Sequence, residues 1–568
     1  MKLSTGKKII LLTGAFIVLV AAALFYFKGP LKARYFNECV PRYNEPFLGI
    51  FNRNASDSTL STIKLKHITL VWRNTAMWND DDLLKASVAD SDVLVTIETW
   101  SNGTWGSTGV ANNVLTETLK GDFDPQIERL TQLAKQSGHQ VLVRWNPDME
   151  VPVVNYPWQL QSPKLYTAAI NYVAAKLKKL AANIKLVWGP FGYPGDSEYW
   201  PDASNVDIIS ITMTSNSEKM LAENPMAHLS ASDLLQAKLH HMRFMNKPVL
   251  ILGGDRINAR QFNKRWIADF TDTVKKYGST IYSPENFIKG DAIKPIRKQL
   301  TVGVFDFEKR LTGMAGISAE HIFTDWGEIQ AGAFKLKFDS IIARRHNAIV
   351  TVEPWKDTTN KPDPAVLTHI ISGRYDNEIR KVFATISNTG QTVYLRFAHE
   401  MEIPIHRYAW QSASPITYIN AYRHFMNFAQ AGNIKKVWGP AGDRGSADWW
   451  PGNDMVDYIS IAIYGLPDKN ITYYNRQESF ATIFDRKNYR MRFFKKPLFI
   501  TEFGIKGPES YQRKWLNGAA QVINNKKDVF GICYFNLYDN PKAWGDIKAP
   551  DWSISPATMG YFQRNLTR

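Results

Sequence analysis

Seven blocks of this 568-residue sequence occur twice, in the same order and at nearly the same spacing. Leu48-Gly-Ile-Phe-Asn52 returns as Val302-Gly-Val-Phe-Asp306, and His67-Ile-Thr-Leu-Val-Trp72 as His321-Ile-Phe-Thr-Asp-Trp326. Val95-Thr-Ile-Glu-Thr-Trp100 returns as Val350-Thr-Val-Glu-Pro-Trp355. Arg144-Trp-Asn-Pro-Asp-Met-Glu150 matches Arg396-Phe-Ala-His-Glu-Met-Glu402, and Asn183-Ile-Lys-Leu-Val-Trp-Gly-Pro190 matches Asn433-Ile-Lys-Lys-Val-Trp-Gly-Pro440. Tyr199-Trp-Pro with Val206-Asp-Ile-Ile-Ser-Ile211 pairs with Trp449-Trp-Pro and Val456-Asp-Tyr-Ile-Ser-Ile461, and Lys247-Pro-Val-Leu-Ile251 with Lys496-Pro-Leu-Phe-Ile500. The separation stays between 249 and 255 positions throughout. Unrelated segments do not keep such register, so the chain holds two copies of one domain of about 250 residues.

Within each copy, short apolar runs such as Val93–Ile97, Val141–Arg144, Val206–Ile211 and Val249–Leu252 alternate with stretches of helical periodicity such as Leu165–Leu180. That alternation predicts a parallel sheet, and the size of the unit predicts a (β/α)8 barrel. The alternative, an open doubly wound sheet, calls for a Gly-rich phosphate turn that the sequence lacks. The expectation is two tandem (β/α)8 TIM barrels over residues 44–297 and 298–568.

The amino terminus sets an address. Lys2, Lys7 and Lys8 precede an uncharged run from Ile9 to Phe27, which ends at Lys28. Nineteen residues at ~1.5 Å rise nearly match a ~30 Å hydrocarbon core. Residues 1–8 then form a cytoplasmic tail, 9–27 a transmembrane anchor and 28–43 a linker to extracytoplasmic barrels, periplasmic or at the cell surface. Ala21-Ala22-Ala23 would suit signal-peptide cleavage instead, with the same destination. Two cysteines exclude a disulfide framework, and Cys533 in an apolar run reads as an inert core thiol.

Glu353, Glu400, Tyr464 and Glu502 each end a strand-like run of the second copy, which in a barrel of this kind gathers them at one mouth. Glycoside hydrolysis with retention needs two such carboxyl groups, one protonating the leaving oxygen and one attacking the anomeric carbon. Pairing with arginine is the structural alternative for a buried glutamate, and Arg396 shares the strand that leads to Glu400.

Copy two resembles glycoside hydrolase family 26, the β-mannanase family, which also holds mixed-linkage β-glucanases and β-1,3-xylanases. The resemblance rests on Arg396-Phe-Ala-His-Glu-Met401, Val437-Trp-Gly-Pro440, Trp449-Trp-Pro-Gly-Asn-Asp-Met-Val-Asp457, Ile463-Tyr-Gly465 and Lys496-Pro-Leu-Phe-Ile-Thr-Glu-Phe-Gly504. It implies a (β/α)8 barrel with a retaining mechanism, Glu400 as acid/base and Glu502 as nucleophile. It also implies that His399 and Tyr464 orient the nucleophile. Glu353, Trp355, Arg396, Trp410, Trp438 and Trp450 are expected along the substrate. No metal or organic cofactor is implied. Mannanases of the family follow His-Glu-Met with Asn-Gly where this chain has Glu402 and Ile403, which leaves the sugar open.

Copy one serves as an internal control. The repeat equates Glu400 with Asp148, His399 with Pro147, Tyr464 with Thr214 and Glu502 with Gly253. All four positions have changed, while Arg144, Met149, Trp188, Pro190, Trp200, Asp207 and Pro248 persist. Copy one therefore reads as a barrel without hydrolytic chemistry. It either binds glycan through Glu98, Trp100 and Trp145 or spaces the second barrel from the membrane.

The expected activity is that of a membrane-anchored retaining endo-β-glycanase, on β-mannan or mixed-linkage β-glucan first. A place beside a glycan synthase or export complex would let it trim a polysaccharide during export. Transglycosylation and a non-catalytic glycan-binding or assembly role are the alternatives. Aromatic residues at 13% suit sugar faces, and the net charge of +16 suits a solvated surface or an anionic partner. Lysine/arginine runs, zinc spacings and helix-turn-helix patterns are missing, so nucleic acid is not expected as a partner.

Overall fold

The computed structural model describes residues 47–567 apart from 52–64, 74–84, 86–87, 90, 102–112, 152–155, 160, 214–230, 254–286, 356–362, 405–406, 412–413, 466–476 and 542–547. The chain divides into two compact units, Met1–Phe287 and Ile288–Arg568. The repeat alone sets the division at 297/298. Residues ahead of that point nonetheless belong to the second unit, because their polar groups are satisfied there. The Ala292 N–H donates to the Arg492 carbonyl at 2.8 Å, and the Arg297 guanidinium to the carbonyls of Ile523, Lys526 and Val529.

The carboxy-terminal unit is a closed barrel of eight parallel strands. They are β8 (Thr301–Asp306), β9 (Ala319–Asp325), β10 (Asn347–Glu353), β11 (Val393–Phe397), β12 (Ile434–Trp438), β13 (Tyr458–Tyr464), β14 (Leu498–Gly504) and β15 (Val529–Asn536). The expected (β/α)8 architecture is present here. Helices cover the outside because their apolar residues recur at three-to-four spacing. The helix Asp376–Ile386 buries Ile379, Val382, Phe383 and Ile386 in this way.

Inside the barrel the side chains form layers. Ala319, Ile349, Tyr394, Val437, Phe499 and Cys533 make an apolar layer, with Cys533 free and buried as expected of a core thiol. Gly531 leaves room for the Phe499 ring, which a Cβ at that position would meet at 2.8 Å. A polar layer follows toward the strand carboxyl ends, from His321, Thr351, Arg396, Ser460 and Thr501. That layer carries the site.

The amino-terminal unit contains β1 (Phe47–Phe51), β2 (Lys66–Arg73), β3 (Val93–Trp100), β4 (Val141–Trp145), β5 (Ile184–Trp188), β6 (Ile208–Met213) and β7 (Val249–Gly253). The six strands β2 to β7 are parallel neighbours in chain order, as expected. β1 differs: it lies antiparallel on β7, with Phe51 opposite Val249, whereas its repeat partner β8 runs parallel between β15 and β9. Among the described residues this is an open seven-stranded sheet, and closure into a second barrel is not present. The repeat puts the counterpart of β15 within 254–286, outside the described residues.

The expected transmembrane anchor at 9–27, its linker and Cys39 also lie outside the described residues. Among those described, no helix is long and apolar enough to cross a membrane.

Candidate active site

Arg396 organises the barrel mouth. Its side chain is 1% exposed and reaches two other strands at once. Nε donates to the Thr351 hydroxyl on β10 at 2.8 Å, and Nη1 to the Thr501 hydroxyl on β14 at 2.9 Å. Nη2 donates to Oε1 of Glu502. The other carboxylate oxygen accepts from the Tyr464 hydroxyl at 3.0 Å. Donors on both oxygens, one of them a permanent cation, hold Glu502 in place. Burial and the neighbouring Glu502 charge keep the Tyr464 phenol well above its usual pKa, so it stays a donor.

Glycine at 439 follows from the arginine. A Cβ there would lie 2.4 Å from Cδ of Arg396, so the side chain crosses directly over the backbone of the Val-Trp-Gly-Pro block. Gly439→Ala is expected to push Arg396 off its partners, at a cost of about 1–3 kcal/mol of overpacking. Thermal unfolding and kcat measured together would check this, and an unchanged kcat would contradict it.

Glu400 stands on the loop after β11, half-buried, with φ of 53°; Ala398 two residues earlier has φ of 47°. Left-handed backbone costs a residue with a Cβ on the order of 1–3 kcal/mol, and here tertiary contacts hold it. The Ala398 N–H donates to the Val352 carbonyl at 3.0 Å and the Glu400 N–H to the Gly439 carbonyl at 2.8 Å. From the far side, the Trp410 indole donates to the His399 carbonyl at 2.7 Å and the Gln411 amide to the Glu400 carbonyl at 3.1 Å. The loop is clamped at Ala398, His399 and Glu400 by these backbone contacts. Desolvation first, and the Glu502 charge second, push that carboxyl up to about 8.

A third carboxyl joins them. Glu353 at the end of β10 is pushed up to about 7, chiefly by burial, and accepts from the Trp355 indole at 3.3 Å. His399 Nε2 lies 3.9 Å from its Oε1. Burial, with Arg396 and His321 nearby, drives the His399 imidazole well below its usual pKa, so it is neutral. His399 thus stands beside Glu353, and the direct contacts to Glu502 come from Arg396 and Tyr464. The buried arginine reaches farther across the barrel than an imidazole can.

Two expectations change. Trp438 and Trp450 do not line an open cleft but are buried against each other and Phe494, with rings 5.1 Å apart edge-on and Trp450 stacked on Phe494 at 4.2 Å. Trp188 and Trp200 make the same pair in the amino-terminal unit, which marks it as part of the wall. Trp410, wholly buried, braces the Glu400 loop from below and stacks on Tyr408 at 4.6 Å. Trp355 packs edge-on against both. Glu402, a competitor for the acid role by strand parity, is taken up elsewhere: its Oε1 accepts from the N–H groups of Gly442 and Asp443 and the Ser446 hydroxyl. Glu150 makes the matching bonds to Gly192 and Tyr193.

Tyr408, Gln411, Thr351 and Thr501 were not foreseen. The repeat carried a signal for three of them, since Tyr156, Gln159 and Thr96 stand at the matching positions of copy one. Thr501 carries no such signal, because Leu252 replaces it.

The raised carboxyls set a pH dependence of stability. Glu400 and Glu353 bind protons more tightly in the folded state than in the unfolded chain, where a glutamate titrates near ~4.3. Their contribution is complete below that value and is lost as pH rises through about 7 for Glu353 and about 8 for Glu400. Glu400→Gln should therefore raise the melting temperature by a few degrees at pH 8 and by less at pH 5, as read by calorimetry. A larger gain at pH 5 would contradict the assignment.

No family model matches the chain. A curated β-1,3-xylanase from an Alcaligenes species is 25% identical over 151 residues, 26% of this chain and 29% of that protein. β-1,3-Xylanase TXYA from a Vibrio species is 26% identical over 149 residues, 25% of this chain and 29% of that protein. The chain thus spans under a third of the length of the curated relatives it matches. Among solved structures, a GH26 β-mannanase from Bacteroides ovatus aligns at 13% identity and TM-score 0.35, over 47% of this chain and 88% of that one. A GH128 endo-β-1,3-glucanase from Sorangium cellulosum aligns at 18% identity and TM-score 0.30, over 47% of this chain and all of that one.

Proposed function

We propose that the carboxy-terminal unit is a retaining endo-β-glycanase with Glu502 as nucleophile and Glu400 as acid/base. The observation that carries this reading is the contrast between the two carboxyls. Both oxygens of Glu502 accept hydrogen bonds, from Arg396 and Tyr464, whereas Glu400 is pushed up to about 8 beside it. A carboxyl that keeps its proton near neutrality, beside one whose two oxygens are both held by donors, is what an acid and a nucleophile on one bond require.

In the first step a Glu502 oxygen bonds to the anomeric carbon while the Glu400 proton passes to the departing glycosidic oxygen. In the second, Glu400 takes a proton from water, the water oxygen bonds to the anomeric carbon, and the Glu502 ester bond breaks. Arg396 and Tyr464 release and regain charge density on Glu502 across these steps. Glu353 and Trp355 border the sugar next to the bond. No metal or organic cofactor has a part in this sequence of bonds.

The substrate on this reading is a β-linked polysaccharide, and β-1,3-xylan joins β-mannan and mixed-linkage β-glucan because of the two curated relatives. The lysine-flanked run at 9–27 supports a membrane-anchored protein with both units on the extracytoplasmic side. Full-length protein incubated with the three glycans, with reducing ends and product sizes measured, tests the activity. Internal cleavage of one of them is expected; binding without cleavage of any would refute it.

A further inference from the structure

The amino-terminal unit keeps the arginine of the polar layer but not the carboxylate that it holds in the other unit. Arg396 is satisfied by Thr351, Thr501 and Glu502. The repeat puts Leu252 and Gly253 in place of the last two, so β7 offers Arg144 no matching acceptor side chain. Arg144 turns to β6 instead. Nε donates to the Ser210 hydroxyl at 2.9 Å, and Nη2 lies 3.2 Å from the Thr212 hydroxyl and 3.3 Å from Asp148 Oδ1. Thr212 stands where the other copy has Ala462, so that hydroxyl belongs to this unit alone.

Nη1 is left over. It is buried, in a side chain 1% exposed, and has no hydrogen-bond acceptor among the described residues. A guanidinium N–H pair held inside protein without an acceptor costs free energy that an incoming anion would recover. A second buried cation, Lys238, donates to the carbonyls of Phe191 and Thr212 at 2.6 and 2.5 Å and feels the carboxylates of Asp148, Glu150 and Asp196. Those carboxylates offset the Lys238 charge, Asp148 is shared with Arg144 Nη2, and Glu98, pushed up to about 7 by burial, is only partly ionised near neutrality, so the unmet demand for an acceptor lies at Arg144 Nη1.

The aromatic frame is retained as well. Trp100 packs edge-on against Tyr156 and Trp158, which stack at 4.7 Å, reproducing Trp355, Tyr408 and Trp410. Trp100 is only partly buried, so part of its ring stays available to a sugar.

We propose that the amino-terminal unit binds a carboxylated glycan, with a uronate carboxylate on Arg144 in the role that Glu502 has on Arg396. The site is independent of hydrolysis in the other unit. Its chemistry selects a sugar that carries its own carboxylate, because Gly253 leaves none at the Glu502 position and Asp148 engages only Nη2 of Arg144.

The test uses the full-length chain with Glu400→Gln, which blocks cleavage yet leaves the Arg396–Glu502 pair in place. It is titrated calorimetrically with a galacturonate hexamer, a mannose hexamer and sodium acetate. Uronate affinity should exceed that for acetate at least tenfold, and Arg144→Gln should lower it at least tenfold while mannose-hexamer binding stays the same. Gly253→Glu guards against a folding defect, since it supplies Arg144 with an internal carboxylate and should keep the unit folded. It too should lower uronate affinity at least tenfold, with circular dichroism unchanged. Parental uronate affinity in either folded variant, acetate bound as tightly as the hexamer, or no uronate binding by the parent would overturn the proposal.

Discussion

Glu502→Ala is expected to lower kcat/KM on the polysaccharide by about four orders of magnitude, a loss of about 5 kcal/mol of transition-state stabilisation. The size follows from what the residue does on the proposed path: without its oxygen there is no glycosyl-enzyme ester, and water must attack directly. The substitution also leaves Arg396 without the carboxylate it holds. A small anion can take that place. Azide should restore turnover of an activated aryl glycoside and give a glycosyl azide of inverted, α configuration, since it attacks from the side that Glu502 occupied. Glu502→Ala retaining activity within tenfold of the parent would sink the nucleophile assignment. Restored turnover with a β-configured azide would do the same.

The second large effect concerns the arginine. Arg396→Met strands the Glu502 carboxylate, 6% exposed, without its cation. Breaking a buried ion pair from one side costs on the order of 3–5 kcal/mol, mostly as the desolvation of the charge left behind. The unit should therefore melt several degrees lower, and kcat should fall at least about 100-fold, because only Tyr464 would still position the carboxylate. Arg396→Met combined with Glu502→Gln should recover much of the stability, although no activity, since it removes both charges. Denaturation of the parent, both single variants and the double variant closes the cycle. A double variant as unstable as the sum of the two singles would show that the pair is not coupled, contrary to the geometry.

Arg396 also marks how far linear reading reaches. It stood in the sequence as a residue along the substrate and as a possible structural partner of Glu400. In the barrel it bonds across to β14 and β10, and its partner is Glu502, more than a hundred residues away. Side-chain length and direction across a closed barrel are properties of tertiary placement. Trp438 and Trp450 teach the same lesson from the other side: aromatic character promised a sugar platform, and burial against Phe494 made them wall.

The repeat was decisive for what it could reach. A spacing of about 250 residues, alternating apolar runs and helical stretches already contain the parallel sheet and the barrel, because hydrophobic period and length are local properties. The same comparison isolated Glu400, Tyr464 and Glu502 as positions that differ between copies while the frame around them stays. The structure then decided which of these groups meet. It gave both oxygens of Glu502 donors, turned His399 toward Glu353, and tied Glu402 to a loop rather than to the mouth. It also placed β1 antiparallel on β7, where the repeat implied a copy of β8. The chain alone was enough to single out Glu400 and Glu502 as the pair on which the proposed function rests. Their unlike surroundings, burial around Glu400 and an arginine on Glu502, come from tertiary placement, which a linear sequence does not display.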